Sequence, residues 1–313
     1  MSLPRVIADT PLNDVIDGLL LNEVEILDWN AAAAPNDTID GLYTYGHPTV
    51  DAALLARLPR LRVISNYGVG VDHISLPAAA ARRIPVGNTP GILDGATADM
   101  GFTLMLAAGR RLVEGDRYAR SAEFTRYDPG YMLGREIHGA TLGIVGMGRI
   151  GRQVAKRARA FDMTILYHNR RRDEAAEELL GAKYVGFRDL LTTADYVMLC
   201  CPLSEVTRGL IGAAELNLMK RTAILINIAR GPVVDTAALT AALQNQIIYA
   251  AGLDVTDPEP LPRNHPLLQL PNVTIAPHLG SATEQTRRQM AEISVKNLLL
   301  GLAGQPLLHQ VTG

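Results

Sequence analysis

The sequence is poor in cysteine, and this excludes several kinds of site at once. Its 313 residues contain two cysteines, Cys200 and Cys201, which are adjacent. Because neighbouring strand residues point to opposite faces, the pair predicts neither a disulfide framework nor a metal site. We interpret both as small buried hydrophobic side chains. No metal is expected elsewhere either, since no second ligand stands at metal-like spacing from the histidines at positions 47, 73, 138, 168, 265 and 309.

Long apolar runs and an excess of either charge are also missing. No stretch approaches the roughly 18 apolar residues of a membrane-spanning helix, and residues 1–10 lack the basic and apolar regions of an export signal. The net charge is -2, so nothing favours nucleic acid or an anionic membrane as a partner. The sequence predicts a soluble, cytoplasmic protein whose partner is a small molecule.

What is present is an alternation of short β-branched runs and helical patterns, which is typical of an α/β protein. With 48% hydrophobic residues, the chain is long enough to bury the cores of two domains. We expect strands at 5–8, 24–27, 41–45 and 61–65, and helices at 51–58 and 76–83. A break at Pro90-Gly91 precedes a long amphipathic helix at 94–111. A second series of six strands is predicted at 142–145, 164–167, 196–201, 223–228, 250–255 and 273–275.

The strongest motif is a GxGxxG turn between an apolar strand and an amphipathic helix. Gly146 permits the tight turn, Gly148 lets the backbone approach a pyrophosphate, and Gly151 allows close packing of helix on strand. The free N–H groups of the helix amino terminus favour the same phosphates. Because the context matches, we interpret the motif as a dinucleotide site and not as a purely structural turn.

The final pattern, at residues 282–302, is a helix with no strand after it. It has to pack on a layer already built, and we expect it to return to the first domain. The prediction is therefore two doubly wound α/β domains, with a Rossmann cofactor domain inserted in a flavodoxin-like substrate domain. The substrate-binding domain would comprise residues 1–94 and 284–313, and the dinucleotide-binding domain residues 95–283.

An acidic residue is missing from the end of the second strand of the cofactor domain. Many NAD-binding sheets carry one there, about 20 residues after the glycine motif, to bind the ribose hydroxyls. This chain instead has His168, Asn169 and Arg170 to Arg172. Asn169, Arg170 and Arg171 would welcome a 2′-phosphate, which predicts NADPH as the preferred cofactor and leaves NADH possible. The alternative is a solvated helix start whose arginines pair with Asp173 and Glu174.

Three further segments follow predicted strands and carry chemically useful side chains. Arg230 follows the strand at 223–228 directly, Glu259 lies between two prolines after the next strand, and His278 lies between Pro277 and Leu279-Gly280. Loops at the carboxyl ends of parallel strands gather around the ligand. An arginine suits a carboxylate, and a histidine beside a carboxylate can transfer a proton near neutral pH. Together they indicate hydride transfer to a 2-keto acid.

A glycine-flanked turn in the first domain adds a candidate for the substrate carboxylate. In Asn66-Tyr67-Gly68-Val69-Gly70-Val71-Asp72, successive N–H groups can bind an anion and complement Arg230. A plain turn is the rival interpretation.

These segments resemble the D-2-hydroxyacid dehydrogenase family over the whole chain, from the turn at 67–72 through the glycine motif to Pro277-His278. The segments at 134–141 and 226–235 are most similar to its glyoxylate/hydroxypyruvate reductase branch, which includes 2-ketogluconate reductases. Family members that prefer NAD have an acidic residue near Asn169, and formate dehydrogenases have a glutamine where this chain has Glu259. The resemblance therefore favours NADPH and argues against formate oxidation.

The resemblance also implies roles for individual residues. Arg230 would bind the substrate carboxylate and steady the keto oxygen, His278 would be the acid/base, and Glu259 would support His278. Backbone N–H groups of Val69 and Gly70 would bind the carboxylate. The cofactor would contact Thr97, Gly146, Gly148, Arg149, Ile150, Gly151, Asn169, Arg170, Arg171, Cys201, Pro202, Thr207, Ile228, Ala229, Asp254, His278 and Gly280, with Asp254 at the nicotinamide amide. A homodimer with residues 110–133 in its interface is a family expectation.

Two other functions remain open at the level of sequence. A reductase of larger sugar acids such as 2-ketogluconate would share every residue named above. A nucleotide-sensing corepressor-like protein would use the same fold mainly for partner contacts, although the Arg230, Glu259 and His278 set argues against it. Turnover of a keto acid with NADPH distinguishes an enzyme from a sensor.

Overall fold

Two parallel sheets, one of five strands and one of seven, organise the chain. A computed structural model describes residues 2–9 and 11–311. The chain divides into two units, each with its own sheet. Unit 1 consists of the residues up to Leu93 together with those from Thr283 onward, and unit 2 is Asp94–Ala282. The chain thus leaves unit 1 once and returns to it.

Unit 1 contains a doubly wound sheet of the flavodoxin type. Its strands pair in the order β2-β1-β3-β4-β5, and they are β1 Arg5–Ala8, β2 Glu25–Asp28, β3 Gly41–Thr44, β4 Val63–Asn66 and β5 Val86–Gly87. Its first helices are α1 Asp14–Leu20, α2 Ala52–Arg57 and α3 Leu76–Ala81. Val6 and Ile7 of β1 are both fully buried, and so are Val63 and Ile64 of β4, so consecutive residues on opposite faces of the sheet are covered. Such burial on both faces is what continuous apolar runs in a parallel sheet predict.

Unit 2 contains a Rossmann sheet with one additional strand. The order is β12-β11-β10-β9-β6-β7-β8, all parallel. The strands are β6 Thr141–Val145, β7 Thr164–His168, β8 Lys183–Tyr184, β9 Tyr196–Leu199, β10 Ile224–Asn227, β11 Ala250–Leu253 and β12 Val273–Ile275. The strand order reverses between β6 and β9, which is where sheets of this kind bind ligands.

The helices of unit 2 cover its sheet, and one of them corrects the sequence analysis. They are α4 Asp94–Gly109, α5 Leu112–Ala119, α6 Arg149–Ala160, α7 Glu174–Leu180, α8 Phe187–Thr193, α9 Ala213–Leu218 and α10 Thr236–Gln244. The expected single helix at 94–111 is wrong at its end. Arg111 has a left-handed φ of 53°, which interrupts a right-handed helix and lets α5 start in a new direction.

The last helix, α11 Glu284–Leu302, packs on the sheet of unit 1. Its buried Ser294 joins two strands of that sheet: its Oγ lies 2.7 Å from the Tyr43 hydroxyl, and its carbonyl accepts a 2.6 Å bond from Ser65 Oγ. Within the residues that the structure describes, no helix is long and apolar enough to span a bilayer.

The expected count of six strands in the second series is also wrong, because unit 2 has seven. The additional strand, β8, contains two residues, and β5 of unit 1 is equally short. Two residues cannot show a period, so neither strand was predicted. Helix α1 was missed as well, although Asn13 caps it by accepting bonds of 3.1 Å from the N–H groups of Val15 and Ile16.

Candidate active site

Three neighbouring strands of unit 2 deliver the predicted catalytic side chains to one edge of the sheet. Arg230 follows β10, Glu259 lies in the loop after β11, and His278 follows β12. Since these strands are parallel and adjacent, their carboxyl ends lie at the same edge. The structure therefore places the loops of all three residues side by side.

His278 and Glu259 form a direct pair. Nδ1 of His278 lies 2.7 Å from Oε1 of Glu259, and both side chains remain partly exposed. Glu259 is tied to its own loop, because its Oε2 accepts a 3.3 Å bond from the N–H of Thr256. With Nδ1 held by the carboxylate, Nε2 is the ring nitrogen that can serve a substrate. A histidine held in this way is suited to transfer a proton.

The backbone at His278 is held in an unusual conformation. Its φ of 56° lies in the left-handed region, which costs about 1–3 kcal/mol for a residue other than glycine. The His278 N–H donates to the Asp254 carbonyl at 2.9 Å, which fixes the turn to the end of β11. Strain of this kind persists where the surroundings determine it, and it occurs at functional positions.

Asp254 is the main support of that turn. Its side chain is buried, and its two oxygens accept bonds from the N–H groups of Leu279 (2.7 Å) and Gly280 (2.8 Å). Burial raises the pKa of the Asp254 carboxyl above its ordinary value, while these N–H groups and His278 oppose the rise. The family resemblance implies a role for Asp254 at the nicotinamide amide. The structure shows that Asp254 holds the loop that carries His278.

Asn227 supports the loop that carries Arg230 in a similar way, and this role of Asn227 was not predicted from the sequence. Its Oδ1 accepts from the Ala229 N–H at 3.0 Å, and its Nδ2 donates to the Arg230 carbonyl at 2.9 Å. Nη1 of Arg230 donates to the carbonyl of Ala229 at 2.8 Å. An asparagine at the end of an apolar strand was the available signal, because asparagine side chains bond nearby backbone groups in turns.

The loops of Arg230 and Glu259 pack directly on each other. A side-chain carbon at Gly231 would lie 1.9 Å from the Thr256 carbonyl oxygen, so residue 231 has no room for one. Thr256 in turn donates to Glu259 Oε2. The cation and the carboxylate are therefore held by loops whose backbones touch.

The glycine motif fits a dinucleotide in its detailed geometry. Gly146 has φ 102°, and a side-chain carbon there would lie 2.6 Å from the Cys201 backbone nitrogen. One at Gly151 would lie 2.2 Å from the Gly146 carbonyl oxygen. Around Gly148, by contrast, a side-chain carbon would meet no atom within 4 Å. The backbone at Gly148 is thus open to a ligand at the amino terminus of α6, as a pyrophosphate requires.

Most of the other residues expected at the cofactor lie along the same edge of the unit 2 sheet. Arg149 and Ile150 are in the first turn of α6, and Ile228 and Ala229 are buried after β10. Cys201 is buried, Thr207 Oγ1 donates to the Pro202 carbonyl at 2.7 Å, and Thr97 of α4 lies beside Gly280. These positions follow β6, β9, β10 and β12, with Thr97 packed against them.

In the basic segment after β7, Arg170 and Arg171 do not pair with Asp173 and Glu174, which was the alternative to a phosphate site. Asp173 pairs with Arg152 at 2.6 Å, and Glu177 pairs with Arg172 at 2.6 Å. Arg170 and Arg171 are exposed, and neither forms an ion pair with any residue that the structure describes. Asn169 accepts a 2.7 Å bond from the Met147 N–H of the glycine motif through Oδ1. Its amide N–H groups are therefore directed away from the motif.

The turn predicted to bind a carboxylate has the required arrangement within unit 1. Asn66 Nδ2 donates to the Gly68 and Gly70 carbonyls at 3.0 and 2.9 Å, and Asn88 Nδ2 donates to the Val69 carbonyl at 2.9 Å. In a trans peptide the N–H points opposite to the carbonyl. The N–H groups of Val69 and Gly70 therefore point away from the two asparagines, and no acceptor for either exists among the described residues.

A Rossmann sheet with a glycine-rich turn, a His–Glu pair and an arginine at its carboxyl edge defines a nicotinamide-dependent dehydrogenase. Residues 102–280 match the family model of the D-isomer specific 2-hydroxyacid dehydrogenase NAD binding domain. The chain belongs to this family, and the resemblance found in the sequence is confirmed. It is an enzyme of the D-2-hydroxyacid dehydrogenase class, which acts on 2-keto acids.

Individual relatives agree with this assignment. A glyoxylate reductase of Thermococcus kodakarensis is 48% identical over 265 residues, which cover 83% of this chain and 79% of the relative. A glyoxylate reductase of Pyrococcus horikoshii is 42% identical and covers 96% of this chain and 94% of its own length. The crystal structure of an NADPH-dependent glyoxylate/hydroxypyruvate reductase from Sinorhizobium meliloti, in complex with NADP and malonate, has a TM-score of 0.90 and 31% identity, with 99% and 97% of the two chains covered.

Proposed function

We propose that the enzyme reduces glyoxylate to glycolate, or hydroxypyruvate to the D-2-hydroxy acid D-glycerate, with NADPH as the preferred reductant. The observation that carries the proposal is the 2.7 Å His278–Glu259 pair, which lies beside the Arg230 loop at the carboxyl edge of a dinucleotide-binding sheet. The glyoxylate reductases among its relatives support the choice of substrate. An assay of glyoxylate, hydroxypyruvate, pyruvate and 2-ketogluconate with NADPH and NADH tests it. Turnover of 2-ketogluconate alone would replace the proposed substrate.

In this mechanism each catalytic side chain has one task. The bound cofactor supplies the hydride. Arg230 binds the substrate carboxylate and stabilises the negative charge that develops on the keto oxygen. His278 donates its Nε2 proton to that oxygen, and Glu259 holds the ring through Nδ1 and stabilises the imidazolium. The Val69 and Gly70 N–H groups are proposed as further carboxylate donors.

Replacement of Glu259 by glutamine should lower kcat for glyoxylate reduction and leave NADPH binding unchanged. Glutamine can keep a hydrogen bond to Nδ1 of His278, but it removes the negative charge beside the ring that supports proton transfer. Steady-state kinetics and NADPH titration on the parent and the variant provide the measurement. A folded variant with the parent kcat would remove the charge of Glu259 from the mechanism.

Replacement of Arg230 by lysine should separate substrate binding from cofactor binding. Lysine keeps the charge but lacks the planar fork that binds a carboxylate with two hydrogen bonds. We expect kcat/KM for the keto acid to fall by more than the affinity for NADPH does. Arg221→Lys is the matched control, since Arg221 is exposed just before the same strand, β10. Equal losses for substrate and cofactor in Arg230→Lys would assign Arg230 to the cofactor or the fold.

The cofactor preference is proposed from the basic segment after β7. Arg170 and Arg171 are exposed cations without an ion pair to a described residue, and Asn169 offers amide donors. A 2′-phosphate needs such donors, whereas a ribose hydroxyl is better served by a carboxylate. The NADP complex of the Sinorhizobium enzyme supports the same choice.

A homodimer is proposed from the segment at 110–133. Several of its apolar and aromatic side chains are exposed, among them Leu112 (63%), Tyr127 (82%) and Leu133 (69%). Exposed apolar groups gathered in one segment mark a protein interface. Sedimentation equilibrium should give twice the chain mass of 33.8 kDa, and Tyr127→Asp with Leu133→Asp should shift it toward the monomer. A monomeric parent enzyme would contradict the proposal.

A further inference from the structure

A second polar cluster lies at the carboxyl end of the unit 1 sheet, outside the groups used in the proposed mechanism. Tyr45 follows β3, Tyr67 follows β4, and Arg287 lies in the first turn of α11. The Tyr45 and Tyr67 ring centroids are 4.8 Å apart. Cζ of Arg287 lies 5.7 Å from the centroid of the Tyr67 ring. Two phenols and one cation are thus gathered at this edge.

The cluster has hydrogen-bond donors that the protein leaves available. Arg287 is half-buried, and its guanidinium interacts with the Tyr67 side chain. A guanidinium has five N–H donors and no acceptor. The Tyr45 oxygen accepts a 3.2 Å bond from Asn13 Nδ2, so the hydroxyl proton remains to be donated. The cluster is therefore suited to bind an oxygen acceptor.

The cluster is continuous with the turn proposed to bind the substrate carboxylate. Tyr67 directly precedes that turn, and Asn66 fixes it through the Gly68 and Gly70 carbonyls. Tyr67 is also joined to α11, because its hydroxyl donates to the Arg287 carbonyl at 3.0 Å. This bond uses the backbone of Arg287, and the contact of its guanidinium with Tyr67 leaves further N–H donors for a ligand. The end of β4 therefore leads both to the turn at Val69 and Gly70 and to the ring that Arg287 contacts.

We propose that Arg287, together with Tyr45 on the other side of the cluster around Tyr67, binds an oxygen acceptor carried on the carbon next to the keto group. The inference rests on the proposed function and sharpens its substrate class to 3-hydroxy-2-keto acids. Hydroxypyruvate and pyruvate differ by this one hydroxyl. A site built to hydrogen-bond a hydroxyl discriminates strongly against the analogue that lacks it, because its donors are then left unpaired. The enzyme accordingly selects hydroxypyruvate over pyruvate through Arg287.

The test compares Arg287→Met with Arg288→Met. Methionine keeps a long side chain against the Tyr67 ring but removes the donors. Arg288 is the next residue, is exposed and pairs with Glu292 at 3.2 Å, so its replacement is the matched control. The ratio of kcat/KM for hydroxypyruvate to that for pyruvate should fall about tenfold or more in Arg287→Met. It should stay at the parent value in Arg288→Met.

Other outcomes overturn the inference. An unchanged ratio in folded Arg287→Met, or an equal loss with both substrates, would mean that Arg287 does not bind the hydroxyl. A second measurement distinguishes failure of the Arg287 inference from failure of the proposed function. It compares how much D-glycerate and D-lactate raise the melting temperature of the enzyme's NADP complex. If the parent reduced neither keto acid, a greater stabilisation by D-glycerate that disappears in Arg287→Met would still support the inference. Equal stabilisation of the parent by the two acids would refute it.

Discussion

Replacement of His278 by asparagine should lower kcat for keto-acid reduction by roughly 10² to 10⁴, the usual contribution of a positioned acid or base. Asparagine can occupy the left-handed conformation found at residue 278, so the turn should survive the change. The Asp254 bonds to Leu279 and Gly280 use backbone N–H groups and do not depend on the imidazole. The loss should therefore fall on the proton transfer, with NADPH affinity little changed.

The measurement is steady-state reduction of glyoxylate, together with NADPH binding by fluorescence titration. His138→Asn is the matched control, because His138 is an exposed histidine of the same unit that lies 3.5 Å from Asp162. Its kcat should equal that of the parent enzyme. A His278→Asn variant that is folded, binds NADPH and retains the parent kcat would exclude His278 as the proton donor.

The second large effect is expected at the basic segment after β7. Replacement of Arg170 by alanine should lower the affinity for NADPH by roughly 10- to 150-fold. A hydrogen bond to a charged group contributes about 1.5–3 kcal/mol, and about 1.4 kcal/mol corresponds to a tenfold change in affinity. NADH lacks the phosphate, so its KM should barely change. Arg172→Ala removes the same charge from a residue already paired with Glu177, and it should leave the ratio of the two KM values at the parent value.

Asn169→Asp should shift the cofactor preference from NADPH toward NADH by more than Arg170→Ala does. The new carboxylate can still accept the Met147 N–H bond, because Asn169 already uses an oxygen for it. The other carboxylate oxygen would take the place of the Asn169 amide group. It would repel a 2′-phosphate and accept hydrogen bonds from the ribose hydroxyls. KM values for NADPH and NADH on the parent and both variants provide the measurement. A parent enzyme that favours NADH would refute the inference from the missing acidic residue.

The larger features of the fold could be predicted because they depend on patterns of many residues. Apolar strands such as β9 and β10 are buried along their whole length, and β6 at every residue but its first, so their apolar runs are continuous and easily recognised. The carboxyl ends of β10, β11 and β12 then indicated where Arg230, Glu259 and His278 belong. The short elements β5 and β8 escaped notice because two residues show no period.

The supports of the site could not be predicted, because they depend on distances between segments that are far apart in sequence. Asp254 accepts hydrogen bonds from N–H groups 25 and 26 residues later in the chain. No local sequence pattern predicts such bonds. The same holds for Asp173, for which the sequence suggested Arg170 and Arg171 as partners. It pairs instead with Arg152, which lies 21 residues earlier in α6.

The loops that carry Arg230, Glu259 and His278 are held by contacts that end on backbone atoms, and this affects how the enzyme can diversify. Asn227 binds the backbone of residues 229 and 230, Asp254 that of residues 279 and 280, and Gly231 lies against the Thr256 carbonyl. The side chains of Arg230 and His278 can be replaced by others without removing any of these contacts. Laboratory evolution toward another reaction should therefore tolerate new side chains at 230 and 278, whereas substitutions at 227, 231 and 254 should be eliminated early whatever reaction is selected.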